Sequence, residues 1–467
     1  MKEISRRHFI KNTFGLGTAL AILPHAQVLG ANDAIQVATV GFRSQGANHI
    51  KWLSELPGVR YVALCDADRA VLEREVNRFR ERDEKVQGYV DVRKMLEDRE
   101  IDAITTATPD HWHALVTIWA CQAGKDVYCE KPLCHNLWEG RQMVNAARKY
   151  NRIVQFGNQN HSHATGELQL EKEDCGRIRV AFTSLFRKRE SIGKVKGPQP
   201  IPESVDYDLW TGPAPMEPLQ RKNLHYDWHW VWSTGTGEIG NNGVYPLDAC
   251  RLALGLKTLP KRVMSFGGRF LFHDDGTTPN TQVVLLEYEP GPLVIFELRN
   301  LPASDGPELP RPTVRCEEGR SSYPQWNGPT GTTGEYSRHQ GHLYNFLTAV
   351  RSRKVEDLRS DVLEGHLSTA MVHMANISYR LGTLSSPDQV HEAIQDRGQE
   401  AEDTFERFKD HLAANGIAPS EMEVVLGPWL ELDTEQEQFI GNSEFTTMAN
   451  QLARGQYRAP YIIPEVV

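Results

Sequence analysis

No apolar run in this 467-residue sequence is long enough to cross a bilayer comfortably; the nearest, Thr13 to Leu23, is short and glycine-rich, so no stable membrane span is expected in the mature chain. No two cysteines have C-x-x-C spacing. The seven present (Cys65, Cys121, Cys129, Cys134, Cys175, Cys250 and Cys316) are an odd number, and several fall on predicted strands and helices where a thiol serves as a small hydrophobe. Neither a zinc ribbon nor an obligatory disulfide framework is therefore expected. Positive charge is scarce. The formal net charge is −9; the first 31 residues carry +3 (Lys2, Arg6, Arg7 and Lys11 against Glu3), which leaves −12 for the rest. Such a surface repels phosphate backbones, so no nucleic-acid partner is expected. Internal repeats and low-complexity tracts are also absent. What is there is ordinary for a soluble enzyme, with 40% apolar, 9% aromatic and 24% charged residues, in a chain too long for one core and suited to two or three domains.

The amino terminus reads as an address. Ser5-Arg6-Arg7-His8-Phe9-Ile10-Lys11 is a twin-arginine segment, followed by the Thr13 to Leu23 run and Pro24. Residues 1–31 are accordingly expected to be a Tat signal, with the mature chain exported to the periplasm. Neither Ala26 nor Ala31 follows a clean small-x-small pattern, so the cleavage point stays open and an uncleaved anchor is the alternative. Tat carries folded proteins, and cofactor-loaded enzymes commonly use it.

From Ile35 the pattern alternates strand and helix. Strands are predicted over Gln36–Gly41, Arg60–Asp66, Ile101–Ala107, Val127–Glu130 and Ile153–Phe156. Helices between them include one faced by Leu72, Val76 and Phe79, one over Ala114–Ala123 and one over Asn136–Lys149 capped by Asn136. This alternation predicts an α/β fold opening with a doubly wound parallel Rossmann sheet, residues 33–157. Longer strands then appear at Ile178–Leu185, Val263–Gly267, Gln282–Tyr288 and Leu293–Leu298, with helices at Pro246–Leu254, His339–Arg351 and Gly365–Leu381. They predict a second, α+β domain over 158–384 with an open, mostly antiparallel sheet. Residues 385–467 are expected to be an extension that packs on that second domain.

The chemistry-bearing stretches lie at strand ends. Gly41-Phe42-Arg43-Ser44-Gln45-Gly46 follows the first strand as a dinucleotide fingerprint would, except that Arg43 replaces the second glycine. The arginine must swing aside, where it can meet phosphate. Asp66 ends the second strand, where a carboxylate takes the adenosine ribose hydroxyls and favours NAD; the neighbouring Arg43 and Arg69 keep NADP open. A helix cap is the other reading of Asp66. The run Asp126-Val127-Tyr128-Cys129 ends in Glu130-Lys131-Pro132, which projects a lysine, held beside a φ-locked proline, from the carboxyl end of a strand.

Together with Thr108-Pro109-Asp110-His111-Trp112-His113, that Glu-Lys-Pro resembles the exported sugar oxidoreductases of the Gfo/Idh/MocA family, over roughly residues 33–382. The resemblance implies nicotinamide held between two domains, and assembly into homo-oligomers through the face of the open sheet. It implies that Lys131 serves the nicotinamide ribose and the substrate hydroxyl, that Thr108, Pro109, His113 and Glu130 line the dinucleotide cleft, and that Asn158 or Gln159 sits near the nicotinamide. The stretch matching the family's acid/base motif runs from Gly237 to Asp248, with Asn241 where aspartate is usual and Tyr245 where histidine is usual. A nearby Lys131 ammonium would favour the Tyr245 phenolate, making a pair that takes the sugar hydroxyl proton. The alternative is a packed tyrosine, with the proton handled by a histidine such as His161 or His229.

Two histidine clusters, His161-Ser162-His163 and His225-Tyr226-Asp227-Trp228-His229, suit a carbohydrate cradle, with His163, Tyr226, Trp228, Asn241 and Asp248 toward substrate. No Cys or Glu completes a metal set in either, and no metal is expected. An exported enzyme meets little free nicotinamide, so a tightly held cofactor regenerated within the site is expected. Oxidation of a carbohydrate CH–OH, with a second sugar or keto compound taking the hydride back, satisfies this. So does hydrolysis of a glycoside through transient oxidation at carbon 3, elimination, hydration and re-reduction.

Overall fold

The computed structural model describes residues 34–162, 176–302, 313–317, 321–322, 336–418, 422–442 and 444–467. His163 and the twin-arginine segment lie outside these. The first sheet is six-stranded and parallel, built from β1 (Ile35–Val40), β2 (Val59–Cys65), β3 (Gln87–Tyr89), β4 (Ala103–Thr106), β5 (Asp126–Glu130) and β6 (Val154–Gly157) in the order β3-β2-β1-β4-β5-β6. Between them run α1 (Gln45–Ser54), α2 (Arg69–Glu81), α3 (Val92–Leu96), α4 (Asp110–Gln122) and α5 (Leu137–Lys149). Strand order reverses between β1 and β4, which opens a crevice at their carboxyl ends.

Helix starts follow the caps. Asp68 accepts from Ala70 N at 3.0 Å to open α2. Asn136 accepts from Glu139 N (3.1 Å) while Glu139 accepts from His135 N (2.8 Å) to open α5. Asp68, then, is the cap, and Asp66 is left to face the crevice. Helix α4 begins four residues before the predicted Ala114, so Asp110, His111 and His113 stand in its first turns, where a carboxylate suits the helix dipole.

The second sheet joins β7 (Ile178–Phe186), β8 (Arg262–Gly268), β9 (Thr281–Glu287), β10 (Leu293–Arg299), β11 (Thr313–Cys316), β12 (Ser321–Ser322), β13 (Thr383–Ser385), β14 (Val424–Leu426), β15 (Leu430–Asp433) and β16 (Gln438–Ile440). Its path is β12-β11-β7-β10-β9-β8-β14-β13, with β15 on β8 and β16 on β15; only β7 and β10 run parallel. The remaining helices are α6 (Tyr207–Thr211), α7 (Val244–Ala253), α8 (Arg338–Ser352), α9 (Val362–Arg380), α10 (Pro387–Ile394), α11 (Gln399–Ala414) and α12 (Glu444–Arg454).

Packing departs from the predicted layout in three places. Helix α8 lies against the first sheet: Leu343, Phe346, Leu347 and Val350 share a core with Val37, Ile50, Leu53 and Tyr128. The second sheet is covered on both faces. Val263, Val284, Leu286 and Phe296 meet α7 and α9 residues such as Leu247, Met371 and Met374, whereas Met264, Phe266, Val283 and Leu285 meet Val390, Phe405, Phe408 and Leu412 of α10 and α11. The face expected to carry homo-oligomer contacts is thus roofed by the chain's own extension. That extension also reaches the first domain. Tyr461 packs edge-on to Trp112 of α4 (5.5 Å between centroids), the Tyr457 hydroxyl bonds Asn136 Nδ2 (3.0 Å), and Lys149 Nζ donates to the Val467 carbonyl. Arg458 and Tyr461 both engage Asp208 of α6 (2.6 and 2.8 Å), which ties the 206–213 loop down.

Cys65, Cys121, Cys129, Cys134 and Cys250 are free thiols, while Cys316 is disulfide-bonded, a bridge the cysteine pattern did not suggest. No described helix is long and apolar enough to cross a membrane.

Candidate active site

A cleft of about 470 Å³ runs from the β1–α1 turn, past the ends of β4 and β5, to the start of α7. Its first end is made by Gly41, Arg43 and Asp66. At Gly41, φ is +72° and a Cβ would stand 2.8 Å from Thr108 Cγ2; at Gly46 a Cβ would stand 2.1 Å from the Gly41 carbonyl oxygen. Both positions therefore require glycine, and the turn brings backbone against the cleft. Arg43 is exposed and swings clear of that turn. Asp66 accepts from Phe42 N and Asp68 N, both at 3.0 Å; burial pushes its carboxyl up to about 6 against those two bonds.

Along the cleft floor, Thr108 and Pro109 form the wall leading to α4. His113 bridges the carbonyls of Pro132 (2.7 Å) and Thr108 (3.0 Å), stapling the two motif loops together, and burial lowers its pKa. Glu130 is buried at the end of β5. It receives Gln45 Nε2 (2.9 Å), His49 Nε2 (2.9 Å), Gln159 Nε2 (3.4 Å) and the Lys131 N–H (3.1 Å). Burial alone would raise its pKa; the His49 bond and charge, Lys131 and Gln45 instead bring it down to about 2.

At the other end Lys131 Nζ donates to the Asn241 carbonyl and to Asn241 Oδ1 (3.2 Å), and lies 5.2 Å from the centre of the Tyr245 ring. The carbonyl is available because residues Ile239–Gly243 form a wide π-helical turn just before α7. Burial lowers the Lys131 pKa, opposed by Glu130, Asp110 and Glu238. The expected Tyr245 phenolate is not realised. Lys131 meets the ring's face, and burial together with Glu130 pushes the phenol's pKa up.

His229 stands opposite as a neutral imidazole, lowered to about 3 by burial and by the Lys131 and Arg189 charges. Its Nδ1 donates to the Tyr226 carbonyl at 2.6 Å, which leaves the Nε2 lone pair free; the ring stacks on Trp228 at 3.6 Å. That stack and the packing of Trp228 with Val205, Trp210 and Leu224 occupy the indole expected to cradle a sugar. Tyr226, 41% exposed, is the open aromatic instead, with its hydroxyl accepting from Arg189 at 3.3 Å.

Four of the expected site residues that are described, Gly46, Asn158, His161 and Asp248, fall outside the cleft lining. Asp248 is buried and accepts from Asn158 Nδ2 and His161 Nε2, both at 2.7 Å, and from Ser368 and Arg251. His161 Nδ1 faces the Arg359 carbonyl at 3.0 Å, so both ring nitrogens carry protons. Burial opposes that charge, but Asp248 overcomes it and raises the His161 pKa. His161, Asn158 and Asp248 are therefore a structural ion pair and its hydrogen-bond partner behind the cleft, not a free base or ligand contacts.

Two family descriptions match this architecture: the oxidoreductase family's NAD-binding Rossmann fold over residues 35–158, and its C-terminal alpha/beta domain over 181–410. The chain belongs to the Gfo/Idh/MocA oxidoreductase family. Curated relatives include a glycosyl hydrolase family 109 protein from Shewanella sp. strain MR-4, 29% identical over 174 residues, which is 32% of this chain and 38% of that protein. An alpha-N-acetylgalactosaminidase from Shewanella oneidensis is 28% identical over the same length. The matched stretch is thus well under half of those relatives. Among solved structures, the WlbA dehydrogenase from Bordetella pertussis in complex with NADH and UDP-GlcNAcA has a TM-score of 0.55 at 19% identity, covering 74% of this chain and 97% of that one. The myo-inositol dehydrogenase from Lactobacillus casei, in complex with NAD(H) and myo-inositol, has 0.52 at 16%, covering 74% and 95%. At these identities the likeness establishes the fold.

As a Gfo/Idh/MocA cleft the residues fit a dinucleotide: Gly41 and Gly46 leave the turn bare, and Asp66 offers a carboxylate from the β2 end. Three groups lining it were not anticipated. Asp110 is 2% exposed, accepts from Thr236 Oγ1 at 2.6 Å, and is raised to about 7 by burial despite that bond and Lys131. Arg189 forks onto buried Glu238 (2.9 Å twice), and Arg187 donates to Asn242 Oδ1 (2.8 Å). Asp110 sat inside the quoted Thr-Pro motif; the arginines lie at the end of a strand, where only the three-dimensional fold brings them to the site.

Proposed function

We propose that this chain oxidises a secondary hydroxyl of a carbohydrate, passing hydride to a nicotinamide dinucleotide retained in the cleft, from which a second sugar or keto compound takes the hydride back. The observation that carries this is the juxtaposition, in one cleft, of a nucleotide end at Gly41 and Asp66 with a polar end at Lys131, Asn241 and His229. Bound nicotinamide would supply the hydride acceptor. The chain's own groups do the rest. Lys131, fixed by Asn241 and the Tyr245 face, donates to the substrate oxygen as negative charge develops there. His229 Nε2 takes the hydroxyl proton. Tyr226, Arg187 and Arg189 offer a ring face and donors to the remaining hydroxyls. The WlbA, myo-inositol and levoglucosan dehydrogenases, solved with UDP-GlcNAcA, myo-inositol and levoglucosan respectively, support the substrate class.

Export by Tat, from residues 1–31, is part of the same reading, and the Cys316 disulfide suits an oxidising compartment. Retention of the cofactor follows from that location. Any homo-oligomer is proposed to avoid the second sheet's broad face, because α10 and α11 occupy it.

The family 109 relatives favour a second reading, NAD-dependent glycoside hydrolysis. Oxidation at carbon 3 acidifies the carbon 2 proton, the aglycone leaves by elimination, water adds, and the returned hydride restores the alcohol. Purified protein should carry nicotinamide absorbance. Incubation with sugars and p-nitrophenyl glycosides then separates the readings: reduced cofactor with a keto sugar means oxidation, and released nitrophenol with no net reduction means hydrolysis. Neither outcome, with no bound cofactor, refutes both.

A further inference from the structure

A second cavity, of about 530 Å³, lies beyond the wall made by His111 and residues 235–236, between α5, α9 and α12. Thr236 belongs to that wall. Its hydroxyl donates to Asp110 in the catalytic cleft, and its carbonyl accepts from Asn376 Nδ2 at 2.9 Å. Nothing in the reaction described above uses this space.

On one face of α9 its lining shows a buried acceptor without a donor and an exposed cation. Asn376 is only 5% exposed, and the bond to Thr236 fixes which way its amide points. Its Oδ1 is buried without a hydrogen-bond partner among the described residues. One turn later on the same face stands Arg380, whose guanidinium lies 5.2 Å from the centre of the Trp232 indole. No carboxylate of the described residues pairs with it. The two acids in the lining are engaged elsewhere: Glu139, its carboxyl pushed up by burial, accepts from His135 N at 2.8 Å, and Glu217 accepts from Ser233 Oγ at 2.8 Å. Apolar groups from Ile377, Leu381 and Leu452 complete the lining. The cavity thus presents one cation, one oriented acceptor that lacks a donor, and a hydrocarbon wall.

We propose that this cavity is a second binding site, for a small hydroxylated carboxylate of the uronic or aldonic acid class. Arg380 takes the carboxylate, Asn376 Oδ1 accepts a hydroxyl, and the apolar wall covers the carbon face. The assignment is independent of the reaction in the cleft, because no residue of the cleft contributes to it.

Calorimetric titration of the full-length protein with D-glucuronate, D-gluconate and neutral D-glucose tests it. Wild type should bind at least one acid saturably and at least about tenfold more tightly than glucose, since a charge-assisted pair separates them. Lys131→Met, which disables the catalytic cleft, should bind that acid as well as wild type does. Arg380→Gln and Asn376→Asp should each weaken it at least about tenfold, the latter by setting a carboxylate against the ligand's own. Arg380→Lys should restore part of the loss. The proposal is overturned by absence of saturable binding to either acid, by equal affinity for glucose, by loss of binding in Lys131→Met, or by unchanged binding in folded Arg380→Gln or Asn376→Asp.

Discussion

Replacing Glu130 by glutamine removes the charge on which the end of β5 is assembled. The carboxylate gathers donors from α1 (Gln45, His49), from the segment after β6 (Gln159) and from the Lys131 backbone. Its pKa falls from an ordinary 4.5 to about 2. At about 1.4 kcal/mol per pH unit that difference is worth about 3 kcal/mol at neutral pH. A glutamine keeps one acceptor and turns an amide N–H toward donors, so little of this is recovered. Because the folded pKa lies below the unfolded one, the contribution is complete above about pH 4.5 and disappears as pH falls through about 2. Equilibrium denaturation by urea, followed for both proteins from pH 7 to pH 2.5, should show the variant less stable by about 3 kcal/mol at pH 7, with most of the gap closed at the acid end. A gap that does not change with pH, or no gap at pH 7, would refute the argument that these bonds act through the carboxylate's charge.

Three further outcomes are expected. Tyr245→Phe should retain turnover within a few-fold, whereas His229→Asn should lose on the order of 100-fold or more in kcat, measured with the same sugar; the reverse order would restore the phenol as proton acceptor. The pH profile of kcat/KM should rise through an inflection near 7, where Asp110 ionises and holds the Lys131 ammonium more firmly, and Asp110→Asn should abolish that inflection. Fluorescence titration of cofactor-stripped protein should show NAD bound more tightly than NADP, and Asp66→Ser should narrow the difference by removing the carboxylate that repels a 2'-phosphate.

Much of the nucleotide half was legible because its signals are local. The strands β1, β2, β4, β5 and β6 follow runs of apolar residues, and Asn136 caps α5 as its side chain suggests. Gly41, Asp66, Thr108 and Lys131 reach one cleft because strand ends and turns fix their positions. The misses are long-range. Residues 385–467 are expected on the second domain, but nothing near Phe405 or Phe408 says which face of the sheet made by residues 178–299 they cover, and nothing near Phe346 assigns α8 to the first domain. The histidines misled for a related reason. A sequence shows that His161 and His229 are available, but their protonation depends on what they meet: Asp248 in one case, the Tyr226 carbonyl in the other. Tyr245 is a similar case, since closeness to Lys131 mattered less than which part of the ring the ammonium meets.

The hold of residues 454–461 on α4 and α5 has a consequence for how the protein is made. Tyr457 reaches Asn136 across 321 positions of sequence, so ribosomes must add more than three hundred residues before the helices behind the nucleotide cleft receive their cover. Until then Trp138 lacks the Tyr457 ring and Arg454 guanidinium that cover it, and Trp112 lacks its Tyr461 contact. A stalled or clipped chain would therefore expose the Trp138 indole, a mark by which quality control can tell unfinished copies from finished ones.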